Sequence, residues 1–87
     1  MLKDKIETLI KNNINAEFID IKDLRSRHIN HKTYSGGAHL KLLVVSDDFK
    51  NISLVNRHKM IYEIIGDLIK KEIHALSIET KTINEYK

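Results

Sequence analysis

Apolar residues recur along the chain with two different periods. Leu2, Ile6, Leu9 and Ile10 fall three to four residues apart with Lys and Glu between them, which predicts a helix at the start of the chain. Asn12 and Asn13 end it, because asparagine tolerates the left-handed conformation that closes many helices. Residues 15–22 (NAEFIDIK) alternate imperfectly and read as a strand. Residues 23–38 (DLRSRHINHKTYSGGA) have no period and contain Gly36-Gly37, so they read as a long loop. A loop of that length is unusual in a small domain, and such loops are often functional. Residues 39–46 (HLKLLVVS) predict a strong strand with Leu40, Leu42 and Val44 on one face. Asp47-Asp48-Phe49-Lys50-Asn51 reads as a turn, where paired acids are most often solvated. Ser53 is placed to cap a short helix, and a longer one follows from the stripe Ile61, Ile64, Ile65, Leu68 and Ile69. In HALSIETK (74–81), Leu76 and Ile78 alternate with Ala75, Ser77 and Glu79, predicting a third strand. The expected fold class is α+β: a single domain over residues 1–87 in α-β-β-α-α-β order, two layers, with the helices on one face of a three-stranded mixed sheet.

This order brings distant residues together. Strands one and two follow one another and are expected to pair antiparallel, whereas a helical crossover makes strands two and three parallel. The starts of strands two and three then lie at one end of the sheet. The loop 23–38 feeds the first of them and His74 stands at the second, so loop histidines and His74 are expected to be close in space although far apart in sequence.

Composition narrows the chemistry. Eighty-seven residues, 41% of them hydrophobic, suffice for one small core, and no apolar run is long enough to span a bilayer. The opening MLKDKIETLIKNN carries charges every few residues and reads as the first helix of a mature cytoplasmic protein rather than a secretory signal. There is no cysteine, which excludes disulfides and any thiolate metal site made by this chain alone. The net charge of +3 is a weak pointer to anionic partners. The serines have no His/Asp arrangement suited to nucleophilic catalysis, and no phosphate-binding or dinucleotide motif occurs, so an enzyme is not expected. His28 and His31 form an H-x-x-H pair that could hold zinc with His74, but no carboxylate at a suitable spacing supplies a fourth ligand.

"LKLLVVSDDF", "SLVNRHKMIYEIIGDLI", "HALSIETKT" and the closing "INEY" resemble the BolA family, in the right order and over nearly the whole chain. The resemblance implies a class II K-homology-like fold. It also implies a heterodimer with a monothiol glutaredoxin that holds a glutathione-dependent [2Fe–2S] cluster for cluster trafficking or iron sensing. Bacterial members are also proposed to be DNA-binding regulators of stress and morphology genes. The isolated chain is expected to be a monomer or weak homodimer without a cluster. The sequence departs from the family at three places. Asn51 stands where a glycine is frequent, a tolerable exchange because asparagine accepts positive φ. Tyr86 replaces a closing tryptophan. The loop ends SGGAHL rather than GSESHF, lacking the acid, and is slightly longer than usual.

Each iron of such a cluster needs two ligands besides the bridging sulfides, and histidine replaces cysteine in known centres. The resemblance implies that glutaredoxin and glutathione bring the thiolates and this chain brings nitrogen. His74 matches the family's ligand position. In the loop, His28 matches by its distance from Asp23, and His31 is the alternative because it lies nearer to His39. For nucleic acid or a protein partner the candidates are Arg57, His58 and Lys59 at a helix start. The GXXG loop by which K-homology domains clamp nucleic acid is absent, the junction reading V-N-R-H-K-M. His58 also falls on the apolar stripe, three and seven residues before Ile61 and Ile65, which suits a half-buried anchor equally well.

Overall fold

The computed structural model describes residues 2–24, 38–71 and 73–87. Helix α1 (Leu2–Asn13) turns Ile6 and Ile10 inward. The Asn13 side-chain amide ends it by donating to the Leu9 carbonyl at 2.8 Å, which satisfies one of the acceptors a helix C-terminus leaves open. Strands β1 (Phe18–Asp23), β2 (Ala38–Val45) and β3 (Ile73–Lys81) form one sheet in the order β1-β2-β3. β1 and β2 are antiparallel, and β2 and β3 are parallel, as the order of elements requires.

The register explains which side chains are buried. Ile21, Leu42 and Ile78 form one row across the sheet, and Ile19, Val44 and Thr80 form the next. Because successive side chains point to opposite faces, these rows share a face, and they pack with Ile6, Ile10, Ile61 and Ile65 of the helical layer. Each such side chain contributes about 1.5–3 kcal/mol by leaving water. The opposite face presents Lys22 beside Lys41 and Asp20 beside Leu43.

The crossover between β2 and β3 differs from the expectation of two helices. It consists of a 3-10 turn (Asp47–Phe49) and one 18-residue helix, α2 (Leu54–Lys71). Ser53 is its cap: the Ser53 Oγ accepts from the Asn56 N–H at 3.2 Å, and its carbonyl from Arg57 N–H at 2.9 Å. The helix continues because the inward positions Arg57, Ile61 and Ile65 repeat every four residues without a break. A further four-residue helix, α3 (Ile83–Tyr86), closes the chain.

The acids of the turn are structural rather than merely solvated. Asp48 Oδ2 accepts from the Asn15 N–H at 2.8 Å and Asp47 Oδ1 from the Ile83 N–H at 3.0 Å. Ser46, fully buried, donates through Oγ to the Asn15 carbonyl at 2.8 Å. The turn thus fastens the entry to β1 and the start of α3. Asn51 has φ 62°, the left-handed conformation that asparagine tolerates.

Candidate functional site

Two ends of the sheet carry the residues that the sequence marks. At one end, Ala38 pairs with Ile73 but His39 pairs with Ala75, so the register shifts and His74 has no Cα partner on β2. Such irregularities are uncommon in parallel pairs and are over-represented beside functional sites. At the same end Asp23 pairs with Leu40, and the Leu24 N–H donates to the His39 carbonyl at 2.7 Å. Leu24 and Ala38 therefore both stand at this end of the sheet, Ala38 beside Ile73 at the start of β3. His28 and His31 belong to segment 25–37 and lie outside the described residues. Among the described residues no three His, Asp or Glu side chains gather as a metal-binding group.

The other end is built around Arg57. Expected on a partner-facing surface, this side chain is instead buried, with only 6% of its area exposed. Its Nε donates to the Ile52 carbonyl at 2.8 Å, and its terminal nitrogens meet Glu85 Oε1 at 2.7 Å and Oε2 at 3.3 Å. A planar guanidinium suits this forked pairing. The guanidinium carbon also lies 5.8 Å from the centroid of the buried Phe49 ring. Glu85 in turn accepts from the Thr82 N–H at 2.8 Å, while the Thr82 hydroxyl accepts from the Glu85 N–H at 3.2 Å. The Arg57 hydrogen bond, followed by that from the Thr82 backbone, holds the Glu85 carboxyl at about 2, well below the ordinary carboxylate value.

Arg57 is thus an internal tie between α2, the end of β3 and α3. Of the three residues proposed for a surface, Lys59 is exposed and His58 half-buried. Sequence reasoning missed Glu85 as the partner of Arg57. The signal was present in Thr82-Ile83-Asn84-Glu85, the S/T-x-x-E pattern of a capping box, which the structure forms in full. Tyr86, expected to substitute for a core-capping tryptophan, stacks on Phe18 with ring centroids 5.6 Å apart. Phe18, Val45 and Lys81 share one register row on the face away from α1 and α2, and Val45 is only 1% exposed there.

The family model described as BolA-like protein matches residues 10–85. The chain belongs to the BolA family. Among curated relatives, it is 34% identical to a protein of Haemophilus influenzae named DNA-binding transcriptional regulator BolA, covering 94% of this chain and 78% of that one. It is 33% identical to SufE-like protein 1 of Arabidopsis thaliana over 90% of this chain, which is only 23% of that longer protein. Among solved structures, the BolA domain of SufE1 from Arabidopsis thaliana superposes with a TM-score of 0.78 at 34% identity, covering 93% of this chain and 91% of that one. BolA1 from the same plant gives 0.79 at 26% identity, covering 94% and 92%. The BolA fold is therefore the scaffold on which both ends of β3 are to be understood: one fastened by Arg57, the other carrying His74. Among the described residues no helix is long and apolar enough to cross a membrane.

Proposed function

We propose that this BolA-family chain is the cysteine-free half of a heterodimer with a monothiol glutaredoxin. The pair shares a glutathione-dependent [2Fe–2S] cluster for trafficking or iron sensing. His74 and His28 are this chain's ligands, with His31 the alternative to His28. The observation that supports this reading is the register shift that singles out His74 at the sheet end where Leu24 and Ala38 also stand. The donor set suits the cluster: this chain has five histidines and no cysteine, and mixed histidine–thiolate ligation of a two-iron cluster is established chemistry. The cluster itself supplies the redox and transferable iron–sulfur chemistry. The chain's task is to present nitrogen and to give the partner a rigid sheet end to close upon. Mixing the protein with cluster-loaded glutaredoxin should change the visible spectrum. His74→Ala should abolish that change, and an unaltered heterodimer spectrum in this variant would refute the ligand assignment.

A second reading, transcriptional regulation through DNA, draws on the names of the relatives from Haemophilus influenzae and Escherichia coli. Since Arg57 is engaged with Glu85, such contacts would fall to Lys59 and His58. Phosphate contacts release counterions, so DNA affinity must fall with salt. A flat salt dependence, or no binding at physiological salt, would reject this reading.

A further inference from the structure

The strand order β1-β2-β3 leaves the sheet two edges, and the hydrogen bonds at its ends fix which backbone groups face outward. The Ser46 N–H donates to the Lys81 carbonyl, and Val45 is the Cα partner of Lys81. Along a strand, alternate residues turn their N–H and C=O toward a given neighbour. Lys81, Glu79 and Ser77 therefore face β2, while Thr80, Ile78 and Leu76 face away from it. The Thr80 carbonyl meets an Arg57 nitrogen at 3.4 Å. The outward groups of Ile78 and Leu76 have no partner among the described residues.

The two edges are not equally guarded. β1 carries Asp20, Lys22 and Asp23 within its six residues, and charged side chains discourage pairing at an edge. β3 has no charged side chain from Ala75 to Ile78. Ala75 and Ser77 are small and exposed, and Leu76 and Ile78 are only half-buried although they pack against the core. Their Cα partners on β2, Leu40 and Leu42, are 3% and 0% exposed. Unpaired backbone groups between half-covered aliphatic side chains form a template to which another strand adds.

This edge fits a second copy of itself. A twofold axis at Ser77, perpendicular to the sheet, sets two β3 strands antiparallel with Leu76 of each opposite Ile78 of the other. These are the outward-facing residues, so the two pairs exchange four backbone hydrogen bonds. Leucine then lies beside isoleucine on the helical face, and serine beside serine on the open face. Glu79 stands opposite Ala75, so no like charges are opposed, and Glu79 already has Lys81 Nζ of its own strand at 3.5 Å. Arg57 at the Thr80 carbonyl closes the edge beyond Ile78, so the pairing is short and the association belongs to the weak, small-interface class.

We propose that two copies of this chain associate through the outer edge of β3, pairing Leu76–Ile78 antiparallel into one six-stranded sheet. The inference goes beyond the cluster reading and does not depend on His74. Sedimentation of the full chain at concentrations up to about 1 mM, where weak association is populated, should show a reversible monomer–dimer equilibrium. In a mixture of isotope-labelled and unlabelled chain, the Ser77 Hα should give a nuclear Overhauser contact with the Ser77 Hα of the other copy, because a pair that exchanges no hydrogen bonds brings its Cα atoms closest. Ser77 is exposed, so substitution there reads pairing rather than packing. Ser77→Lys should weaken dimerisation roughly five-fold, since like charges then stand directly opposite, and mixing Ser77→Lys with Ser77→Glu should restore it. A chain that stays monomeric throughout, a dimer indifferent to Ser77→Lys, or a dimer without the Ser77 contact would overturn the proposal. So would protection of the Leu76 and Ile78 amides by an alternating threonine–valine peptide in a chain that never dimerises, which would assign the edge to strands of other proteins.

Discussion

At Thr80 and Lys81 the third strand runs into a web of side-chain bonds. Arg57 reaches the Thr80 carbonyl at 3.4 Å, the Ser46 N–H reaches the Lys81 carbonyl at 2.9 Å, and Thr82 and Glu85 cap each other beyond. At Ile73–Ala75 the same strand begins on a register shift, beside Ala38 at the start of β2. One end therefore holds the fold together through specific polar side chains, several of them buried. The other leaves a histidine without a Cα partner on the neighbouring strand. Under the cluster reading proposed above, the first end holds the fold and the second is given to the ligand. The two ends should accordingly respond in opposite ways to substitution.

The largest effect is expected at Arg57. Arg57→Leu keeps the bulk but strands the Ile52 and Thr80 carbonyls and releases α3. Removal of a buried, multiply bonded charge should cost about 2–4 kcal/mol. For a domain of this size that is a fall in melting temperature of roughly 10–20 °C. Thermal denaturation followed by circular dichroism measures it. The contrast between the two ends would be weakened by a fall of a few degrees only. Asp48→Ala should follow, since it orphans the Asn15 N–H and loosens the entry to β1. A loss of about 1–2 kcal/mol is expected from chemical denaturation.

Acid should act on the same end. The Glu85 carboxyl is held at about 2 in the folded chain against an ordinary 4.5. Its folded value is depressed, so its contribution is fully present above about 4.5 and is lost as pH falls from there toward 2. Glu85 is about half exposed, so solvent screens the pair and the effect is smaller than that of removing Arg57. In Glu85→Gln the decline in stability between those two pH values should be shallower than in the parent chain. Parallel declines in the two proteins would mean that other carboxylates dominate acid unfolding.

Different parts of this arrangement were legible in the sequence to different degrees, for physical reasons. The alternation in HLKLLVVS and HALSIETK sufficed for β2 and β3, because one buried face imposes a period of two. The i+4 repeat of Ile61 and Ile65 marked α2. Its true start was obscured because the inward residue one turn earlier is Arg57, which a hydropathy pattern scores as surface. The burial of an arginine depends on a partner, Glu85, that lies 28 positions away, and local periodicity contains no such information. The acids of the 3-10 turn were misread for the same reason: their acceptors serve Asn15 and Ile83, remote in sequence. That β3 begins at the same sheet end as Leu24 and Ala38, in contrast, followed from topology alone. The register shift at His74 did not, because a one-residue slip between two parallel strands leaves no compositional trace.

The smallest effect on stability is expected where the largest effect on function is proposed. His74 has no Cα partner on β2, and the cluster reading gives its side chain to the ligand rather than to the framework. On that reading the unfolding free energy of His74→Ala should lie within about 0.5 kcal/mol of the parent chain. The same variant should fail to alter the spectrum of cluster-loaded glutaredoxin, whereas Arg57→Leu, assayed well below its lowered melting temperature, should still do so. The crossed pair of results is what separates a strand end built for stability from one built for a ligand. If His74→Ala instead unfolds the chain as readily as Arg57→Leu, the register shift is part of the framework, and the ligand must be sought elsewhere along the sheet end.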